Sequence, residues 1–566
     1  QQRYAIAEKQ FSEAIPLLEA AQDDLHLAEA LTRRGNLSVH QGHDQAALAG
    51  FAEAIHQVES IRSRLNAPTT RADYRTTIDY VYRAPLSLYL AQGDFEAAFN
   101  IAERARSRVL ADLLTNQDLS VEIPASLQEL WHSIHRELDQ AYANRSDRER
   151  INELERKLAD LDRQIEFYDQ SYVGLTGTEP MRAADVCPQL SEDAALLTYV
   201  SDNQDRLWVL VLTKHEVWGR LIPQLNVQWL QTFLSEHIDG IHRGKLIPSG
   251  NGYLSQPKGL IPPLFEKLLA PACERLQAKQ TVYIVPHGPL YSIPIGALTP
   301  TLSTPAPLLA AGRRVVYAPS ATILFRAGRQ SPLPASTDTL AVAPNDERLQ
   351  YTIGAAKRIV ANPGDLSMTG THATKQAFLA QAGRYRMICF LGHARFDPVH
   401  PMSSRLMLSD GHLRASELSR GLRLHADLVI LAACETGRNK ILLGDELLGL
   451  PRALLHAGIP AVLVTLWPVH EVPTRLLVEE FIKQRQHTPA ADAARTLAAV
   501  QNWLRTLTFE QAWLLLSNWD ELTAEQAHQQ LATIWRMTSG DAPPQRDAAL
   551  FDHPYFWSPF ILIGSR

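Results

Sequence analysis

Two stretches decide the fold: Met387-Ile-Cys-Phe-Leu-Gly-His393 and Leu428-Val-Ile-Leu-Ala-Ala-Cys434-Glu-Thr-Gly437. Each is an uninterrupted apolar run that ends in a reactive side chain followed by turn residues. Such runs are strands buried on both faces, as in a parallel sheet covered by helices. Further runs of the same kind are Thr281–Val285, Leu340–Ala343, Ala461–Thr465 and Ile561–Ile563, with helical segments between them. Upstream, Ala195–Ser201 and Leu207–Thr213 are β-rich and bounded by turn signals. Glu216–Ile222 follows after a tight turn, which predicts a hairpin. The expected class is an α/β domain built on a parallel sheet with helices on both faces.

In open parallel sheets, ligands bind beyond the carboxyl ends of the strands. His393 and Cys434 stand at two such ends, and their spacing fits one strand–helix–strand step. A free thiol has a pKa near about 8.5 and is mostly protonated at neutral pH. A neighbouring imidazole can deprotonate or polarise it, giving a nucleophile for acyl transfer. The pairing alone is weak evidence, because a buried cysteine at a strand end is commonly packing. Cys389, inside its run, reads as that inert case. His400, His412, His425 and His456 are competing bases expected in loops or on helices.

Residues 1–115 read as helical and repetitive. Phe11-x-x-Ala14-x-x-x-Leu18-x-x-Ala21, Asp44-x-x-Ala47-x-x-x-Phe51-x-x-Ala54 and Phe95-x-x-Ala98-x-x-x-Ala102-x-x-Ala105 share one pattern, and Gly42 and Gly93 precede the second and third. Small residues at these positions let paired helices pack closely, as in the tetratricopeptide repeat. A plain helical bundle with alanine contacts is the alternative. Residues 116–186 follow as a helical connector. Within it, Asn152–Ile165 carries Leu154, Leu158, Leu161 and Ile165 at helical spacing, which suits a hairpin or coiled-coil arm.

The chain has 566 residues, too many for one hydrophobic core. A net charge of -6, from 55 basic and 61 acidic residues, argues against binding nucleic acid by bulk charge. It leaves room for a local basic patch. The four cysteines stand far apart with no CxxC pair, so a zinc ribbon or disulfide framework is not expected. Free thiols suit a reducing compartment, and a cytoplasmic location is expected. No apolar run reaches the roughly 18 residues a membrane span needs. The first residues, QQRYAIAEKQ, lack Met and any signal stretch, so the expectation is a start within a longer protein.

Several segments in order resemble the CHAT family, caspase-like domains associated with tetratricopeptide repeats. They are LGHARFDP (391–398), LAACETG (431–437), GDELLGLPRALLHAGIPAVLVTLWPV (444–469) and HPYFWSPFILIG (553–564). YIVPHGPLYSIPIGAL (283–298) resembles the family's upstream signature, and AFNIAERARSRVLADLL (98–114) the repeat helix that commonly precedes it. The resemblance implies that Cys434 is the nucleophile of a cysteine endopeptidase and His393 its catalytic base and acid. It also implies backbone oxyanion donors at Cys434 and Ala394. Gly392 would let the backbone turn closely around His393, and no chemical role is expected for Asp397.

The family also resembles separase, whose Leu-Trp-Asp-Val segment reads Leu466-Trp467-Pro468-Val469 here. The missing carboxylate weakens the expectation of an acidic pocket for a P1 arginine. Asp445, Glu446 and Glu471 are candidate substitutes, with Trp467 as a pocket wall. Acids at a helix N-terminus are favoured in any case, which accounts equally well for Asp445 and Glu446.

The organisation expected is therefore tetratricopeptide-like repeats at 1–115, the connector at 116–186, a degenerate pseudo-caspase half at 187–330 that extends the sheet, and the active caspase-like half at 331–566. His287, at the tip of Thr281–Val285, finds no matching thiol. The sequence calls for no cofactor or metal. The expected partners are a protein substrate and a regulatory protein bound through the repeats, with no membrane and no direct nucleic acid. The alternative is an inactive repeat scaffold for protein interaction. An acyl-transferring hydrolase acting on non-peptide substrates would use the same Cys and His.

Overall fold

The computed structural model describes residues 2–21, 23–64, 70–115, 180–232, 264–298, 312–326, 338–347, 349–395, 404–419, 424, 426–432, 440–442, 446–457, 459–467, 469–488, 492–539 and 542–564, with isolated positions between 126 and 161. Most of the expected arm at 120–170 lies outside these residues, as do His400 and His425.

The chain opens with five helices: α1 (Gln2–Ala20), α2 (Asp24–His40), α3 (Asp44–Arg64), α4 (Thr70–Gln92) and α5 (Phe95–Thr115). The Asp23 side chain accepts from His26 N and caps α2. Gly42 and Gly93 end α2 and α4 with φ of +80° and +75°, a conformation that favours glycine. A Cβ on Gly35 would stand 2.4 Å from the Phe51 ring, so α2 and α3 approach to a distance that only glycine permits. Ala47 and Ala54 on α3 and Ala98 and Ala102 on α5 are buried, which places the small residues of the repeated pattern at helix contacts.

The strands follow in order: β1 (Ala194–Ser201), β2 (Arg206–Leu212), β3 (Val217–Asn226), β4 (Thr281–Val285), β5 (Arg314–Tyr317), β6 (Thr339–Pro344), β7 (Leu366–Gly370), β8 (Met387–Leu391), β9 (Ala394–Arg395), β10 (Arg405–Leu408), β11 (Gly411–Arg414), β12 (Leu428–Ala432), β13 (Lys440–Leu442), β14 (Glu446–Leu448), β15 (Ala461–Thr465) and β16 (Phe560–Gly564). Among the described residues, eleven of them form one sheet in the order β3-β2-β1-β4-β5-β16-β15-β12-β8-β6-β7. Both halves therefore share one sheet. Alternate residues of β1 face opposite cores, with Leu196 and Val200 in one apolar cluster and Ala195, Leu197 and Tyr199 in the other. That is the three-layer arrangement expected of buried strands.

The expectation of a parallel sheet needs correction at two places. β1, β2 and β3 form an antiparallel meander. β16 runs antiparallel to β15 and parallel to β5, so it joins the two halves. The β2–β3 pairing is the hairpin expected between Leu207–Thr213 and Glu216–Ile222; the directions of β1 and β16 were not predictable, because an apolar run carries no sign of its direction. Gly564, at φ +130°, lies so close to β15 that a Cβ would meet the Pro460 carbonyl oxygen at 2.1 Å.

Helix α5 is built into this α/β unit. Leu86 and Leu90 of α4 and Ala98, Phe99 and Ala102 of α5 share an apolar cluster with Leu196, Leu210 and Val316. A Cβ on Gly219 of β3 would meet the Phe95 ring at 2.4 Å. The buried Glu103 carboxylate accepts from Thr322 N at 2.6 Å and Ala321 N at 3.1 Å, at the start of the helix Ala321–Arg326. Buried Arg106 donates to Thr198 Oγ1 at 2.5 Å and to the Tyr199 carbonyl. Buried charges are tolerated only with such partners, so the two side chains fix the register of α5 on the sheet.

Candidate active site

β8 and β12 are parallel neighbours, with Leu391 opposite Ala432. His393 stands two residues beyond Leu391, and Cys434 two residues beyond Ala432. His393 therefore lies just past the carboxyl end of β8, the edge of the sheet where ligands bind in open parallel sheets. Cys434 itself lies outside the described residues. Cys389 lies within β8, fully buried, and burial pushes its thiol well above the ordinary range. Burial also raises Cys187 and Cys273, which are half-buried.

After His393 the chain turns into a small sheet of β9, β10 and β11. Met407 N donates to the His393 carbonyl at 2.9 Å, and Ala394 stands opposite Leu406. Antiparallel pairs alternate between bonded and non-bonded, so Ala394 is in a non-bonded pair and its N–H points away from β10. A Cβ on Gly392 would come within 3.1 Å of the Phe390 ring and 3.3 Å of Pro344, so the turn into His393 is closely packed.

The His393 ring lies against a carboxylate that the sequence did not single out. Nε2 is 3.4 Å from Asp346 Oδ2, and both side chains are about four-fifths buried (19% and 20% exposed). Asp346 follows β6, which flanks β8 on the side away from β12. The ends of the adjacent strands β8 and β6 thus bring His393 and Asp346 together. The signal was available, because Asp346 lies just past the apolar run Leu340–Ala343, where strand-tip chemistry is expected.

The loop that carries Asp346 is held along its length. Asn345 N donates to Ser409 Oγ at 3.4 Å, and Ser409 Oγ donates to the Gly370 carbonyl at 2.5 Å. Leu349 N donates to the Asp346 carbonyl at 3.1 Å. Tyr351 N and Gln350 N donate to the Glu471 carboxylate at 2.5 and 3.1 Å. Glu471, expected at a substrate pocket, is thus engaged with the backbone of this loop, and burial raises its pKa despite those bonds. Trp467 is buried, and its Nε1 donates to the Tyr555 carbonyl at 3.2 Å. Asp445 and Pro468 lie outside the described residues. Glu446 begins β14, opposite Leu442.

A row of arginines crosses the small sheet that follows His393. Arg395, Arg405 and Arg414 stand in one row across β9, β10 and β11. His412 was expected in a loop or on a helix, but it lies on β11 opposite Met407. The short amphipathic run Gly411–Arg414 gave no strand signal. Burial, aided by Arg405, Arg414, Lys375 and Arg395, pushes His412 down to about 3, so it is neutral at physiological pH. Lys375 pairs with Glu417 at 2.6 Å, and Glu417 also accepts from Arg414 N at 2.9 Å.

The CHAT domain model matches residues 259–565, and the chain belongs to the CHAT domain family. No curated protein matches it. Among solved structures, two of Saccharomyces cerevisiae separase in complex with securin are similar at 11% identity. One covers 88% of this chain and 52% of separase with a TM-score of 0.42, the other 87% and 46% with 0.39. The chain spans about half the length of those separase chains.

Proposed function

We propose that the chain is a cysteine endopeptidase in which Cys434 attacks the scissile carbonyl and His393 handles the proton. The observation that carries this reading is the matched overhang of His393 and Cys434 beyond Leu391 and Ala432. The thiolate adds to the carbonyl carbon, and the carbonyl oxygen takes the negative charge. The outward-pointing Ala394 N–H and the Cys434 N–H are the expected donors to that oxygen. Protonated His393 then gives its proton to the leaving amine, the C–N bond breaks, and an acyl-enzyme remains. Water, deprotonated by His393, releases the acid and regenerates the thiol.

The arginine row beside His393 and the engagement of Glu471 with backbone amides disfavour an obligatory P1 arginine. The five-helix array supplies a surface for a substrate or regulatory protein, in the manner of tetratricopeptide repeats. Terminus profiling of a proteome treated with wild type beside Cys434→Ala tests the activity. New termini that need Cys434 support it. Identical profiles overturn it.

A further inference from the structure

We propose that Asp346 is a positioning residue for His393: its carboxylate lies against Nε2, favours the tautomer protonated there and leaves Nδ1 as the basic nitrogen. The inference rests on the peptidase reading above and deepens it. Its warrant is the 3.4 Å approach of Nε2 to Oδ2 between two largely buried side chains. A histidine ring with both nitrogens interchangeable populates the wrong tautomer part of the time. A carboxylate on one nitrogen removes that choice and favours the imidazolium that forms when the thiol is deprotonated.

The setting suits the role. An orienting group must itself be held, and the Asp346 loop is bonded through Asn345, Leu349, Gln350 and Tyr351 to Ser409, to its own turn and to Glu471. Asp346 also places an anion beside a ring whose strand leads into the arginine row. Those cations oppose a second positive charge on His393, so the imidazolium needs this carboxylate more than it would in a neutral site.

The test titrates His393 directly, so that it does not depend on turnover. In the full chain with Cys434→Ala, histidine-selective NMR follows the His393 ring with Asp346 and with Asp346→Asn. The expected result is a midpoint lower by about one unit or more in the Asn variant. Asp346→Glu should restore part of the difference. In parallel, with Cys434 present, Asp346→Asn should lower kcat about 10- to 100-fold with little change in KM. Its alkaline limb should move to lower pH as the imidazolium proton is lost earlier.

A merely structural Asp346 would lower the melting temperature without moving the His393 midpoint, and that result overturns the inference. If wild type hydrolyses nothing while the midpoint still shifts, the peptidase reading fails and the pairing stands.

Discussion

Leu391 and Ala432 face each other across the β8–β12 ladder. His393 and Cys434 each follow that pair by two residues in the sequence, and the first prediction rests on this. Cys434→Ala and His393→Ala should each abolish peptide hydrolysis and leave the circular dichroism spectrum unchanged. Cys389→Ala should keep most activity, since that thiol is core packing. Mass-spectrometric mapping after mild alkylation should find Cys434 labelled ahead of Cys187, Cys273 and Cys389, whose thiols burial raises. Labelling of Cys187 or Cys273 with Cys434 silent would count against the assignment.

Substrate choice is the second prediction. A cationic P1 side chain would approach a sheet edge near the row of Arg395, Arg405 and Arg414. Desolvating a further cation among these arginines costs several kcal/mol unless a carboxylate is free to pair with it. A positional-scanning peptide library should therefore show no strict need for P1 Arg or Lys. Near-exclusive cutting after Arg, lost on changing Asp445, Glu446 or Glu471, would refute this and name the pocket residue.

The third prediction concerns the seat of α5. Glu103→Ala strands the buried amides of Ala321 and Thr322 and should lower the unfolding free energy by about 2–4 kcal/mol. Glu103→Gln keeps an acceptor and should cost less. Urea titration of the three proteins decides it. A change within about 0.5 kcal/mol for the alanine variant would mark Glu103 as an ordinary surface position.

Acid stability follows from His412. Its folded pKa is about 3, against about 6.5 for an unperturbed histidine. Between those values the unfolded chain binds a proton that the folded chain does not. The contribution to stability is present in full above about pH 6.5 and declines as pH falls toward about 3. His412→Gln should flatten that decline. Urea midpoints at about pH 7.5, 5.5 and 4.5 measure it, and parallel curves for the two proteins would exclude His412 as the cause.

Control through the helical array is the fifth prediction. The intact chain alone should cleave a short peptide slowly, and a protein that docks on α1–α3 should raise the rate. Such a partner must prefer the aligned site, because equal affinity shifts nothing. Removing residues 1–64 leaves α4 and α5 on the sheet and should not lower the basal rate. Full activity of the intact chain without any partner would favour simple substrate recruitment instead.

Much of the fold was legible because apolar runs are long where strands are buried on both faces. Thr281–Val285, Leu428–Ala432 and Ala461–Thr465 coincide with β4, β12 and β15. β5 and β7 are short and only partly buried, so their runs stay below the signal. The roles of Glu103 and Arg106 were hidden for another reason. On a helix rich in charge, they look like solvated side chains, and only the sheet laid against them turns them inward. Asp346 was legible as a strand-tip residue, but its partner was not, since only the β6–β8 pairing brings it near His393.

The position of β16 has a consequence for how the protein is made. In the sheet, β5 and β15 do not touch, and β16 lies between them. It is also the last of the eleven strands to be synthesised. While the chain emerges, β1–β5 and the strands from β6 to β15 are two separate sheets with open edges at the future seam. Each is free to collapse by itself, as the parts of long chains generally do. The rim that carries His393 belongs to the later piece, and its sheet is closed only when residues 560–564 slide into the gap. A chain cut short before residue 560 would lack the strand that joins the two half-sheets.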